Sequence, residues 1–142
     1  MTYLALFEPA EDGGYVITFP DFGYGVTQAE SDEEGIELAS DLLACLISDA
    51  IESGNELPKP KRYRGRKSRP IHLHALVSVK AEVYSAFLPA GIRKAELARR
   101  LNIPKANIDR LFDVRHSSRI EHLEAAFRAI GMEMSIDIKR AA

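Results

Sequence analysis

In the stretch ELARRLNIPKANIDRL, residues 96–111, side chains able to read nucleic-acid bases recur at helical spacing. Asn107 and Arg110 stand three apart, so on a helix they share a face. A carboxamide and a guanidinium have the bidentate geometries that match adenine and guanine edges in the major groove. Lys105 and Ala106 lie beside them, and Lys105 could serve a base or a phosphate. Arg99, Arg100, Arg115, His116, Ser117 and Arg119 flank this pair. Their donors suit phosphate oxygens, contacts that position a domain without reading sequence. The competing reading is a helical bundle with a solvated basic surface.

For those side chains to act together, two short helices must cross at a fixed angle. A helix-turn-helix needs apolar residues inside both helices, a small residue at the crossing and a permissive turn residue. Leu97, Leu101, Ile103, Ile108 and Leu111 supply the apolar set, and Ala98 the crossing. Asn102 falls in the turn, where asparagine tolerates the left-handed conformation better than most residues. Pro104 suits the first turn of the second helix, whose N–H groups have no helical partner. The spacing predicts helices over Lys80–Leu88, Lys94–Leu101, Pro104–Phe112 and Arg119–Ile130. Pro89 and Gly91 close the first. Ser118 with Glu121 reads as a capping box opening the last, and Gly131 ends it. Beyond it, Met132, Met134, Ile136 and Ile138 alternate with Glu133, Ser135 and Asp137, the pattern of a strand. An isolated strand is unstable, so these four residues are expected to pair with another copy, giving a dimer or tetramer.

The first half of the chain is of opposite character. Residues 1–58 hold 13 Asp and Glu and no Lys or Arg, whereas residues 59–142 hold all 19 Lys and Arg against 8 acids. The net charges of −13 and +11 sum to the −2 of the whole chain. Such segregation favours two partners of opposite charge. Tyr3–Phe7, Tyr15–Phe19 and Tyr24–Ala29 read as strands of an antiparallel meander, punctuated by Glu11-Asp12-Gly13-Gly14 and Asp21-Phe22-Gly23. Ser31 with Glu34 forms a capping box. The helix it opens carries an apolar stripe of Ile36, Ala39, Leu43, Leu46, Ile47 and Ala50 and stops at Gly54. Residues 59–70 read as a proline-bounded basic loop. It is first a solvated loop, with phosphate contact or a protease-sensitive hinge as the other readings. Ile71, Leu73, Ala75, Val77 and Val79 alternate, so residues 71–79 are expected to form a fourth strand. The expected class is therefore α+β: a β-β-β-α-β domain over 1–79, then an all-helical helix-turn-helix domain with a C-terminal strand over 80–142.

Other chemistries find little support. His72 and His74, two apart on the expected strand, share a face and could hold a metal, but no third ligand follows from spacing. Cys45 is alone, which excludes an intramolecular disulfide, and it reads as a buried packing residue. No phosphate-cradling glycine motif is present and no cofactor is expected. No apolar stretch reaches the ~20 residues of a membrane span, and the N-terminus lacks the features of a signal peptide. The expected location is the cytoplasm.

Taken together, YVITFPDFGYGVTQAESDEEGIELASDLL (residues 15–43) and ELARRLNIPKANIDRLFDVRHSSRIEHLEAAFRAIGMEMSI (residues 96–136) resemble the HicB antitoxin family. The first carries a tyrosine-led strand ending in Phe-Pro-Asp, a turn, then Val-Thr-Gln before the acidic helix start. The second is similar to the family's C-terminal DNA-binding domain. Gly23, Gly35 and Asn102 depart from the family's usual proline, alanine and glycine. The resemblance implies a partial ribonuclease-H-like N-terminal fold that binds a HicA-type toxin, a small mRNA-cleaving ribonuclease. It also implies self-association through the C-terminal domain and repression of the chain's own operon by binding operator DNA. An RNA-gripping toxin must present a basic surface, so by charge Asp12, Asp21, Glu33, Glu37 and Asp41 are its candidate contacts. Catalysis by this chain is not expected. A ribonuclease-H-like site draws a carboxylate from the middle of its first strand, and Tyr3–Phe7 has none. The alternative is a stand-alone transcriptional regulator whose N-terminal domain senses a small ligand.

Overall fold

The computed structural model describes residues 1–63 and 65–141. Four strands, β1 (Thr2–Pro9), β2 (Tyr15–Thr18), β3 (Val26–Ala29) and β4 (Ser68–His72), form one antiparallel sheet in the order β3-β2-β1-β4. Alternation along β1 sends Tyr3, Ala5 and Phe7 into the core, as the two-residue period of a strand requires. The hairpin between β1 and β2 turns on Gly13 and Gly14 at φ 92° and 72°, where a side chain would be strained.

Helix α1 (Asp32–Glu52) covers one face of this sheet. Its N-cap is Ser31, whose hydroxyl accepts from the Glu34 N–H at 3.2 Å. Glu34 reaches one residue further back than a standard box, accepting from the Glu30 N–H at 3.1 Å. The buried stripe is Gly35, Ala39, Leu43, Leu46, Ile47 and Ala50. Ile36, expected in that stripe, is 44% exposed. The reason lies at Gly35, where a Cβ would come within 2.6 Å of the Phe7 ring. The helix approaches the sheet so closely there that only a hydrogen fits, which turns Ile36 outward. Cys45 is exposed rather than buried, on the side of α1 away from the sheet.

The expected strand over 71–79 is corrected. Strand β4 begins three residues inside the expected basic loop, pairing Tyr3 with Ile71 and Leu6 with Ser68. Pro70 is tolerated because β4 is an edge strand. From Ala75 the chain is already helical: α2 runs Ala75–Phe87. The apolar run satisfied both periods, and Lys80, Val83, Tyr84 and Phe87 on the buried face decide for the helix. His74 sits at its N-cap and His72 in β4, where its Nδ1 lies 3.1 Å from the Thr2 hydroxyl. The two imidazoles do not share a strand face. Among the described residues no group of three or more His, Cys, Asp or Glu could hold a metal.

After α2 come a short 3-10 turn (Leu88–Ala90), α3 (Lys94–Leu101), α4 (Lys105–Phe112) and α5 (Ile120–Ala129). The sheet and α1 build one core around Tyr3, Phe7, Ile17, Phe19 and Leu43. Helices α2 to α5 build a second around Val83, Phe87, Leu97, Ile108, Phe112 and Leu123. The expected division at residue 79 falls inside α2, which serves both cores: Ala81 belongs to the first and Val83 to the second. The Ser118–Glu121 capping box does not form. Arg119 is the N-cap of α5 without any side-chain cap hydrogen bond. Residues 132–141 take no regular secondary structure, so the expected C-terminal strand does not form in this chain. No single helix is long and apolar enough to cross a membrane among the described residues.

Two tyrosines fasten residues 55–58 across this architecture. Tyr3 donates its hydroxyl to the Pro58 carbonyl at 2.7 Å, and Tyr84 donates to the Asn55 carbonyl at 2.8 Å. Burial, with Asp21 and Glu82 adding to it, pushes the Tyr3 phenol up to about 12. A folded-state value above the unfolded one favours the protonated form in the fold. The stability it contributes is therefore fully present below pH 10 and is lost as pH rises through about 12. An ultraviolet titration of the folded chain should show one phenolate appearing only near pH 12, and Tyr3→Phe should remove that step. A Tyr3→Phe profile that keeps the step assigns it to another tyrosine.

Candidate functional site

The site begins at the turn joining α3 to α4. Asn102 adopts φ 54° and ψ 46° and is the one non-glycine residue with positive φ among the described residues. The Ile103 N–H then donates back to the Ala98 carbonyl at 3.0 Å, closing the helix end. Pro104 occupies the N-cap of α4, one position before the first turn proper. Leu97, Ala98, Ile108 and Leu111 are buried between the two helices, and Lys94 ties α3 to α4 through Asp109 at 2.6 Å.

With Ile108, Leu111 and Phe112 inward, the opposite side of α4 presents Ala106 and Arg110 to solvent, and Asn107 is half-buried at its margin. A cavity of about 340 Å³ opens between this margin and the start of α5. Its floor is apolar, from Leu101, Ile103 and Leu111, and its rim carries Asn107, Arg110, His116, Ser117 and Arg119. Five of the ten residues expected to touch nucleic acid therefore converge on one concavity. Ser118 and His122 join them, two contributors that the sequence reading missed. Lys105 and Arg99 lie on the other side of α4, around a shallow depression near Asn102. Arg115 is exposed, its backbone N–H held by Asp113 at 2.9 Å. Arg100 is drawn away: it pairs with Glu96 at 3.2 Å and donates to the Ala129 carbonyl at 2.9 Å, tying α3 to the end of α5. Arg99 also pairs with Glu96 but is largely exposed.

Beneath this surface lies a residue that the sequence reading passed over. Lys80 is fully buried, and its Nζ donates to the carbonyls of Arg110 and Asp113, each at 2.8 Å. These belong to the C-terminal end of α4, where helix carbonyls lack intrahelical partners and a cation is favoured. Burial lowers the ammonium below the ordinary lysine range, while the Asp113 carboxylate pushes the other way. Lys80 thus pins α4 to α2. The signal was its spacing: a lysine in register with Val83, Tyr84 and Phe87 on the buried face of a helix.

On the first core the acidic candidates divide. Asp21 is half-buried and engaged within the chain, accepting from the Tyr63 hydroxyl at 2.7 Å and the Lys61 N–H at 3.2 Å. That hydrogen bond also raises the Tyr63 phenol. Asp12 is exposed in the hairpin turn, and Glu33, Glu37 and Asp41 are exposed along α1, with no ion-pair partner among the described residues. The apolar tail residues Met132, Ile136 and Ile138 are 49%, 68% and 89% exposed, while Met134 packs partly against the second core.

Comparison with known proteins places this architecture. Residues 2–82, which span the sheet, α1 and the first half of α2, match the family described as HicB-like antitoxin of bacterial toxin-antitoxin system. The Escherichia coli (strain K12) protein Antitoxin HicB is 33% identical over 136 residues, covering 96% of this chain and 98% of that one. Antitoxin HicB 1 of Photorhabdus laumondii is 32% identical, covering 98% of this chain and 88% of its own length. A chain of a toxin-antitoxin complex from Streptococcus pneumoniae superposes with a TM-score of 0.45 at 22% identity, covering 75% of this chain and 92% of that one. Since the family match takes in the whole sheet and α1, and relatives of similar length align almost from end to end, the chain belongs to the HicB-like antitoxins of bacterial toxin-antitoxin systems.

Proposed function

We propose that this antitoxin acts in the cytoplasm in two ways, neither of them enzymatic. It binds and neutralises a HicA-type mRNA-cleaving toxin through the acidic unit of residues 1–79. It also represses its own operon, using α3 and α4 as a helix-turn-helix on operator DNA. The ribonuclease-H-like ancestry of the first unit and the pairing of residues 132–138 between copies belong to the same reading. The observation that carries it is that two charges ride on two cores. Strands β1 to β3 and α1 bear residues 1–58, the segment without a single cation, and the second core bears the concavity rimmed by Arg110, Arg119, His116 and Asn107. A cation-rich toxin and a polyanionic duplex can then be held at once without competing for the same surface.

The operator arm has a direct test. A dimer carries two copies of α4 related by a twofold axis, so the operator should be an inverted repeat with half-sites about one helical turn, or a multiple of it, apart. Arg110→Ala should cost about 1–3 kcal/mol on the operator and relax specificity at one position. Arg115→Ala should weaken operator and scrambled duplexes alike and reduce the salt slope by about one unit. Titration of both variants on both duplexes separates base reading from phosphate contact. An Arg110→Ala chain with unaltered operator preference would remove α4 from the role of reader.

A further inference from the structure

The basic segment after Pro58 has more order than a solvated loop needs, and less internal neutralisation than its surroundings offer. Its backbone is pinned at both ends. Pro58 is held by Tyr3 at 2.7 Å, and the Lys67 carbonyl accepts from the Phe7 N–H at 2.7 Å. Between them, Asp21 accepts from the Lys61 N–H and the Tyr63 hydroxyl. Lys59, Lys61, Arg62, Arg66 and Lys67 are all exposed, and none of their charged groups has an ion-pair or hydrogen-bond partner among the described residues. Yet the segment lies against a unit of 13 carboxylates, and the one acid it engages among the described residues, Asp21, is spent on a backbone N–H and a phenol. Arg69, just beyond, shows what neutralisation would look like: it pairs with Asp32 at 3.3 Å and stacks over Phe7.

We propose that these five cations form a second, sequence-independent nucleic-acid contact, gripping duplex phosphates outside the bases that α4 addresses. The inference rests on the operator-binding reading. The chemistry of the segment selects among polyanions. Its one aromatic residue, Tyr63, is half-buried and tied to Asp21, so no stacking platform for single-stranded bases is offered. It exposes no large apolar side chain to enter a lipid surface. A basic toxin is repelled. What remains is an array of point charges suited to a phosphate backbone, whose counterions it releases.

The test uses the full chain with K59Q/K61Q/R62Q/R66Q/K67Q, substitutions at exposed positions that leave the pinning hydrogen bonds in place. Binding is titrated against salt on an operator duplex with long flanks, the same operator trimmed to its core, a long scrambled duplex, a single-stranded RNA of equal length and anionic phospholipid vesicles. On both long duplexes the slope of log affinity against log salt should become shallower by about 2 to 4 units, at about 0.9 per phosphate released. Operator preference over scrambled DNA should stay the same, and the difference from wild type should shrink on the trimmed duplex. Circular dichroism melts matching wild type confirm that the fold is intact. An unchanged slope on the long duplexes overturns the proposal, as does a loss confined to RNA or to vesicles. If the wild-type chain fails to prefer operator over scrambled DNA, the operator reading falls, while the slope on scrambled duplex still decides the role of the segment.

Discussion

Lys80→Met should destabilise the chain by about 2–4 kcal/mol, with a matching loss of operator binding that extends to conditions where the variant is still folded. Methionine keeps the unbranched stem, so little cavity forms and the packing change is small. What disappears is the pair of hydrogen bonds to the carbonyls of Arg110 and Asp113. Buried carbonyls left unmet cost about 1–3 kcal/mol each, and relief of the burial of the ammonium returns part of this. The effect on binding follows from place. Arg110 is both the residue whose carbonyl Lys80 holds and the side chain at the rim of the concavity. Freed at its C-terminal end, α4 loses its fixed angle against α2. There is also a pH signature. Burial sets the ammonium below the unfolded value of 10.5, so its contribution to stability rises as pH rises through the lowered value towards 10.5, and the variant should lack that rise. Urea melts of the two proteins, with operator titrations well below the midpoint, check both parts. A variant as stable as wild type would show that water or other groups satisfy these carbonyls.

Charge reversal along α1, as Glu33→Lys, Glu37→Lys and Asp41→Lys together, should slow association with the toxin by about tenfold or more at low salt. The three carboxylates are exposed, without ion-pair partners among the described residues, and clear of the buried stripe. Their loss should leave the fold alone. Wild-type association should slow as salt rises, because steering between exposed charges is screened beyond about 10 Å at 0.1 M ionic strength. In the variant the same salt should have little effect. Stopped-flow mixing across a salt series measures this, and equal rates for both chains would move the docking surface off α1. Asp21 is a poorer choice for the experiment: held by Tyr63 and Lys61, its replacement would loosen the basic segment as well.

Features written in local chemistry were legible from the residues. Ser31 caps α1 because a hydroxyl in front of three acids can do little else, and Asn102 turns left-handed because the two helices around it leave no other course. The meander and the spacing of Asn107 and Arg110 read out for the same reason. Features decided by tertiary contact did not. The run 71–79 fits strand and helix periods equally, and only packing across two cores selects α2. Ile36 looks like a core residue until the Phe7 ring is seen lying against Gly35. Cys45 reads as buried by its spacing, and the same small rotation of the stripe leaves it exposed. Arg100 reads as one more phosphate contact, although the Ala129 carbonyl draws it elsewhere. Lys80, hidden by the assumption that lysines face water, needed the end of α4 beside it to make sense. The alternating tail from Met132 to Ile138 fits a strand by period, yet it forms none in this chain.

The most direct measurement is cleavage of an mRNA by the HicA-type toxin proposed as partner while the full chain is titrated in. Cleavage should fall in proportion to added antitoxin and stop near equivalence, with the α1 charge-reversal chain lagging behind at low salt. Cleavage that continues undiminished under an excess of folded chain would contradict the account at its centre.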